Sequence, residues 1–226
     1  MTALKRAALS VLAMLVAIGI GALAPSVRAD DAISAARATT AVVIVVTERY
    51  EATSQWSGTV NQQDLPYIRQ PYGDLAERLF ELAGVAIAPG EGGPVTLVVD
   101  ASGRTEATLY DSSVNGHRIR EPNYRAATIV GTIQLETGAG TIERPFSGVI
   151  PAPYDFMVTF GYDLYRDPNN APFRKAVEAP GGYAETLAIL IGEIYGEPVL
   201  QEAAADRDPL VRRAAELALG SSIRSD

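Results

Sequence analysis

His117 lies in Asn115-Gly116-His117-Arg118, with Asp111, Ser112 and Ser113 a few positions earlier. A hydroxyl, an imidazole and a carboxylate are the parts of an acyl-transfer triad. The spacing carries no Gly-x-Ser-x-Gly elbow, and the segment reads as a turn between strands, so a loop histidine with no catalytic role is expected. His117 is the single histidine and the chain has no cysteine. Disulfides, thiol catalysis, Cys-ligated zinc and His-rich metal sites are therefore excluded. Glu48, Glu51, Asp100, Glu106 and Asp111 are candidates for the paired carboxylates of glycoside hydrolysis, but spacing singles out none of them. Asp163, Asp167, Asn169 and Asn170 form an oxygen-rich group that lacks the loop order of an EF-hand and reads as a solvated turn. The glycine-rich stretch from Pro89 to Pro94 is followed by no lysine and opens no helix, so it is no phosphate cradle. No metal or cofactor is expected.

Aromatic residues are the better binding candidates. Tyr154, Phe156, Val158, Phe160 and Tyr162 alternate strictly, with Tyr165 and Arg166 beyond them. Such a stripe can stack on a glycan or peptide, or form the core face of a strand. Trp56 offers the same choice. Trp56, Tyr154, Tyr162, Tyr165 and Arg166 are accordingly the candidate binding residues.

The elements that must position them read as α+β. Residues 30–40 are polar and alanine-rich and read as a leader. The β-branched run Ala41 to Val46 suits a central strand buried on both faces. Glu48 to Val60 continues it, with Gly58 marking a bend or bulge. A helix follows at residues 74–83, with Asp74 as its cap, Glu77 completing a capping box, Gly84 after the last turn and Leu75, Leu79 and Leu82 as its apolar stripe. Val95 to Asp100 is a strand, and Ala101-Ser102-Gly103-Arg104 reads as a tight turn returning the chain at Thr105 to Tyr110. Ala127, Ile129, Gly131, Ile133 and Leu135 give the clearest strand alternation, folding back at Thr137-Gly138-Ala139-Gly140 into Thr141 to Ile150. Pro145 places that last strand at an edge. The expectation is a mostly antiparallel sheet domain over 41–180 with one packed helix, then a helical segment over 181–226.

Within that segment, Pro198 to Gly220 resembles one HEAT repeat of the short, phycobilisome-lyase-like type. Pro209, Val211, Arg212, Ala214, Ala215, Leu219 and Gly220 match the family's second helix. The resemblance implies two antiparallel helices joined by an Asp-rich turn, a structural Asp–Arg contact, and a role in protein contacts. It covers about 23 of the 226 residues. Solenoids need about three or more repeats to bury a continuous core, so a helical appendage docked on the sheet domain is expected.

Residues 1–29 read as a secretory signal: Lys5 and Arg6 precede the uncharged run Ala7 to Leu23, Pro25 breaks it, and Val27-Arg28-Ala29 fits cleavage before Asp30. An uncleaved anchor is the alternative, since the run approaches the ~18–20 residues that span a bilayer. Cleavage removes three bases and no acid, leaving 16 bases against 27 acids, a net charge of −11. That acidic balance argues against a phosphate-tracking surface, so nucleic acid is not an expected partner. No later segment has the length and charge-free character of a membrane span, so no stable membrane anchor is expected after cleavage. With 47% hydrophobic and 20% charged residues the chain is globular. The leading functional expectation is an exported, periplasmic or extracellular, non-enzymatic protein-binding or structural module with a protein partner. The alternatives are a small carboxylate-dependent hydrolase of cell wall or glycan and a carbohydrate-binding module.

Overall fold

A computed structural model describes residues 29–56, 59–64, 69–90, 93–114, 117–151 and 172–222. Its order is α1 (Ala29–Arg37), β1 (Ala41–Trp56), β2 (Thr59–Asp64), α2 (Tyr72–Leu82), β3 (Ala86–Ile87), β4 (Val95–Val114), β5 (His117–Thr137), β6 (Gly140–Ile150), α3 (Pro172–Val177), α4 (Tyr183–Tyr195), α5 (Glu197–Ala204) and α6 (Pro209–Ser222). The fold is α+β, as expected from the sequence. Five strands run in the order β2-β1-β4-β5-β6, with β3 beside the start of β1. Most pairings are antiparallel, but β1 pairs parallel with β4 and with β3. A parallel pair needs a crossover, and α2 supplies it between β1 and β4.

Alternation along the strands sorts the sheet into two faces. Val42, Tyr50, Val95, Leu97, Val99, Ala101, Ala127, Ile129, Ile133, Leu135, Ile142 and Phe146 are buried on one face. They share a core with residues of all six helices found among the described residues. Two glycines shape that face. Tyr50, Gly103, Ile129 and Gly148 stand side by side across four strands. At Gly103 a Cβ would come within 2.4 Å of the Tyr50 ring and 2.9 Å of Phe173, and at Gly148 it would strike the Ala176 carbonyl. The row is a trough in which α3 lies. This corrects the turn expected at 101–104: β4 runs straight through it, and Gly103 is there for close approach rather than for reversal.

Other expectations also change. The leader at 30–40 is instead α1, whose Ala32 and Ala36 are buried. Its Arg37 Nε donates to the Ile194 carbonyl at 2.6 Å and Tyr195 Oη to the Ala36 carbonyl at 3.2 Å. The helix α2 begins two residues before Asp74, after Pro71, and no side chain caps it. Gly84 does follow its end with a positive φ of 77°. The run Ala41 to Val46 is not buried on both faces, because Val45 is 37% exposed. Gly58 lies outside the described residues, between the hairpin strands β1 and β2. Pro145 is on an edge strand, as its missing N–H suggested. The N–H of Ser147, two residues on, points outward to the Gly181 carbonyl at 2.7 Å. Pro145 therefore holds a position where an N–H would face away from the ladder.

The chain ends in three helices. On α4, Tyr183, Ala184, Leu187, Ala188, Leu190, Ile191 and Ile194 are buried, because this helix is sandwiched between the sheet side and the hairpin α5–α6. Glu185, also buried, is satisfied by Gly181 N at 2.6 Å and by the Ser221 hydroxyl. The turn of the hairpin carries its own bonds: Leu210 N donates to Asp208 Oδ1 at 2.7 Å and Asp208 N to Asp206 Oδ1 at 2.8 Å. Arg212 donates to the carbonyls of Asp206 and Arg207, each at 2.8 Å, rather than to a carboxylate. The Asp206 carboxylate is held by Arg78 of α2 at 2.7 Å, which ties the hairpin to the rest of the molecule.

Replacing Gly103 by Ala is expected to cost about 1–3 kcal/mol by overpacking the α3 trough. The same change at Gly138, where a Cβ meets nothing within 4 Å, should stay within about 0.5 kcal/mol of neutral in urea unfolding. Asp208→Ala should remove about 1 kcal/mol by uncapping α6.

Candidate functional site

From Thr47 onward β1 alternates polar groups between the two faces. Glu48 and Tyr50 go to the helix side. Thr47 and Arg49 go to the other side and are exposed.

The helix-side group is a closed polar network. Tyr50 donates to Glu48 Oε2 at 2.7 Å and is hydrogen-bonded to the Tyr72 hydroxyl at 3.1 Å. Gln70 N donates to the same Glu48 oxygen at 3.0 Å, and Arg69 lies 3.5 Å from Oε1. Tyr183 donates to the Tyr72 carbonyl at 2.8 Å. Gln70 Oε1 is a buried acceptor with no hydrogen-bond partner among the described residues. Rings enclose the network: Phe173 lies 4.6 Å from Tyr50, and Tyr183 packs edge-on against Tyr72 at 4.7 Å. Burial pushes the hydroxyls of Tyr50, Tyr72 and Tyr183 above the usual phenol range, and Tyr195 is pushed up to about 12 by the same cause. The Glu48, Tyr50, Tyr72 and Tyr183 side chains are enclosed and hydrogen-bonded, which suits structure better than turnover.

The opposite face is where another molecule can reach. Its rows across β1, β4, β5 and β6 read Val45-Val98-Gln134-Glu143, Thr47-Asp100-Thr132-Pro145, Arg49-Ser102-Val130-Ser147 and Glu51-Arg104-Thr128-Val149. Val45, Val130 and Val149 are the large apolar side chains most exposed among the described residues, at 37%, 44% and 50%. A groove of about 490 Å³ runs along Arg49, Glu51, Ser102, Gly103, Arg104, Thr128 and Val130. Glu51 lies 3.5 Å from Arg104, and Gln134 donates to Glu143 at 3.1 Å. Arg49 and Asp100 are exposed, and no ion pair or hydrogen bond of their side chains is found among the described residues. Among the described residues the surface is rich in hydroxyls and branched aliphatics and carries this groove. That arrangement suits docking.

Of the residues singled out from sequence, Glu51 and Asp100 lie on this face. Tyr154, Tyr162, Tyr165 and Arg166 lie outside the described residues, as do Asp163, Asp167, Asn169 and Asn170. Trp56 ends β1 opposite Thr59, and only its backbone is described. His117 begins β5 opposite Val114, while Asp111, Ser112 and Ser113 lie within strand β4 rather than in a loop. Among the candidate carboxylates, Glu48 is on the helix face and Glu51 and Asp100 on the open face, so Glu48 cannot share a cleft with either. No cluster of three or more metal-ligating side chains exists among the described residues. The other open-face residues, Arg49 and the three valines among them, were missed because the apolar run Ala41 to Val46 hides which face each residue takes. The period-two pattern of Thr47, Arg49 and Glu51 was the available signal.

No protein-family model matches the chain, and no curated protein matches it. One solved structure, described as "Crystal structure of uncharacterized protein", is similar at 14% identity over 62% of this chain and 99% of that chain, with a TM-score of 0.26. A likeness at that level carries no argument.

A phenol whose pKa is raised on folding stabilises the fold fully below pH about 10 and loses that contribution as pH rises further. Absorbance titration at alkaline pH should therefore show the buried tyrosines ionising only together with loss of the near-ultraviolet circular dichroism. Gradual ionisation of all ten tyrosines near pH 10, with the dichroism intact, is the opposite result.

Proposed function

We propose that the protein is an exported, non-enzymatic module that binds another protein through the open face of its sheet. The observation that carries this reading is the one-sidedness of the fold. Every helix among the described residues contributes to the core on one face, while the other leaves three valines exposed among hydroxyls. An uncovered sheet face with apolar side chains is a typical docking surface. Export is supported by the signal-like residues 1–29. In this reading the HEAT-like hairpin is scaffolding, since its charged turn is occupied by contacts to Arg78 and to its own backbone.

The absence of cysteine makes a direct test available. Thr132→Cys on the open face and Glu202→Cys on the exposed side of α5 are labelled in intact cells, and as purified dilute protein, with a thiol reagent that does not enter the cytoplasm. Labelling of the Glu202→Cys chain in cells, with Thr132→Cys at least about fivefold slower in cells than when purified, is the expected outcome. No labelling of Glu202→Cys in cells would remove export. Equal rates for Thr132→Cys in both settings would remove docking on this face.

A further inference from the structure

We propose that the occupant of the open face is a second copy of this chain, packed sheet to sheet about a two-fold axis that crosses the strands between the Thr47 and Arg49 rows. The inference rests on the docking reading above and commits it to one partner.

Charge is the first argument. The four rows hold two arginines, Arg49 and Arg104, and three carboxylates, Asp100, Glu51 and Glu143. The face is therefore nearly neutral, at −1, although the whole chain carries −8. Glu51 and Arg104 are paired with each other. Arg49 and Asp100 are left without an ion pair among the described residues, on neighbouring strands and adjacent rows. An acidic partner would satisfy Arg49 and strand Asp100, and a basic partner would do the reverse. A copy related by the two-fold axis brings Arg49 of each chain over Thr47 of the other. Asp100 is then one strand away, about 4.8 Å to the side and within reach of an arginine side chain. Both unpaired charges are satisfied twice by one operation, which is what an isologous contact requires.

Shape is the second argument. The groove lies at the Arg49 and Glu51 rows, while Val45 and Val98 stand side by side at the other end of the face. The same axis sets the Val45 row of one copy over the Glu51 row of the other, so each groove receives the partner's valines. The area sets the strength. Four strands and the seven residues from Val45 to Glu51 span about 19 by 23 Å. Two copies then cover roughly 900 Å², in the range of weak, transient interfaces, so a dimer that forms only in the upper micromolar range is expected.

The experiment uses protein purified from the producing cells. Sedimentation velocity over a micromolar dilution series is expected to show a species of twice the chain mass that dissociates on dilution. Arg49→Glu should weaken it about tenfold or more, and the exchange Arg49→Asp with Asp100→Arg should restore it to within about threefold. Thr132→Cys should cross-link to itself with a short bismaleimide, and Glu202→Cys should not. A monomer at all concentrations, or a dimer indifferent to both charge changes, overturns the proposal. If the monomer is found while Thr132→Cys is still protected in cells, the second copy is wrong and a different protein occupies the face. If that protection is also missing, the docking reading falls with it.

Discussion

The Glu48 carboxylate is the point on which the architecture turns. It sits on the helix face of β1 with its side chain only 9% exposed, so it must be paid for by hydrogen bonds. Tyr50 and Gln70 N supply them at 2.7 and 3.0 Å. Tyr72 joins through Tyr50, and Tyr183 joins through the Tyr72 carbonyl. The bonds thus run from the first strand through α2 to the central helix α4. A buried polar group left unsatisfied costs about 1–3 kcal/mol, so displacing either helix would expose several such costs together. Hydrophobic burial can place a helix anywhere on an apolar sheet, but directional bonds of this kind select one position.

That selection has a functional consequence. With α2 and α4 fixed, α3 settles into the trough cut by Gly103 and Gly148, and the hairpin α5–α6 is held through Arg78 and Asp206. The helical mass accumulates on one side. Among the described residues the other side, from Val45 to Glu51 on β1, keeps its hydroxyls, valines and charges available, and no helix covers it. Structure and proposed role therefore share one cause, the asymmetry imposed by the buried network.

Much of this was legible in the residues. The alternation from Ala127 to Leu135, the reversal at 137–140 and the proline at the edge of β6 each depend on local physics and were read correctly. So was the helical character of the segment over 181–226. What failed depended on partners distant in sequence. Gly103 reads as a turn until the rings of Tyr50 and Phe173 are known to lie on it. Asp74 reads as a cap until Tyr72 is pulled into the core and α2 starts two residues earlier. The alanines of α1 look like a leader until α4 and β6 are there to receive them. The open face was hidden for the same reason: six apolar residues in a row at the start of β1 do not reveal that only one side is covered. The aromatic stripe drew attention because it alternates, while the exposed valines lie one to a strand, on three different strands, and share a face only through the register.

Native-state hydrogen exchange on Tyr183→Phe tests the network most directly. That substitution removes one hydroxyl and leaves the ring packing in place. If the network fixes the helices to the sheet, amides of α2 and α4 lose protection together while the β5–β6 pairing keeps its own. Loss confined to α4, with α2 unchanged, would mean that the helices are held independently by apolar contact and that the buried bonds do not set the one-sided fold.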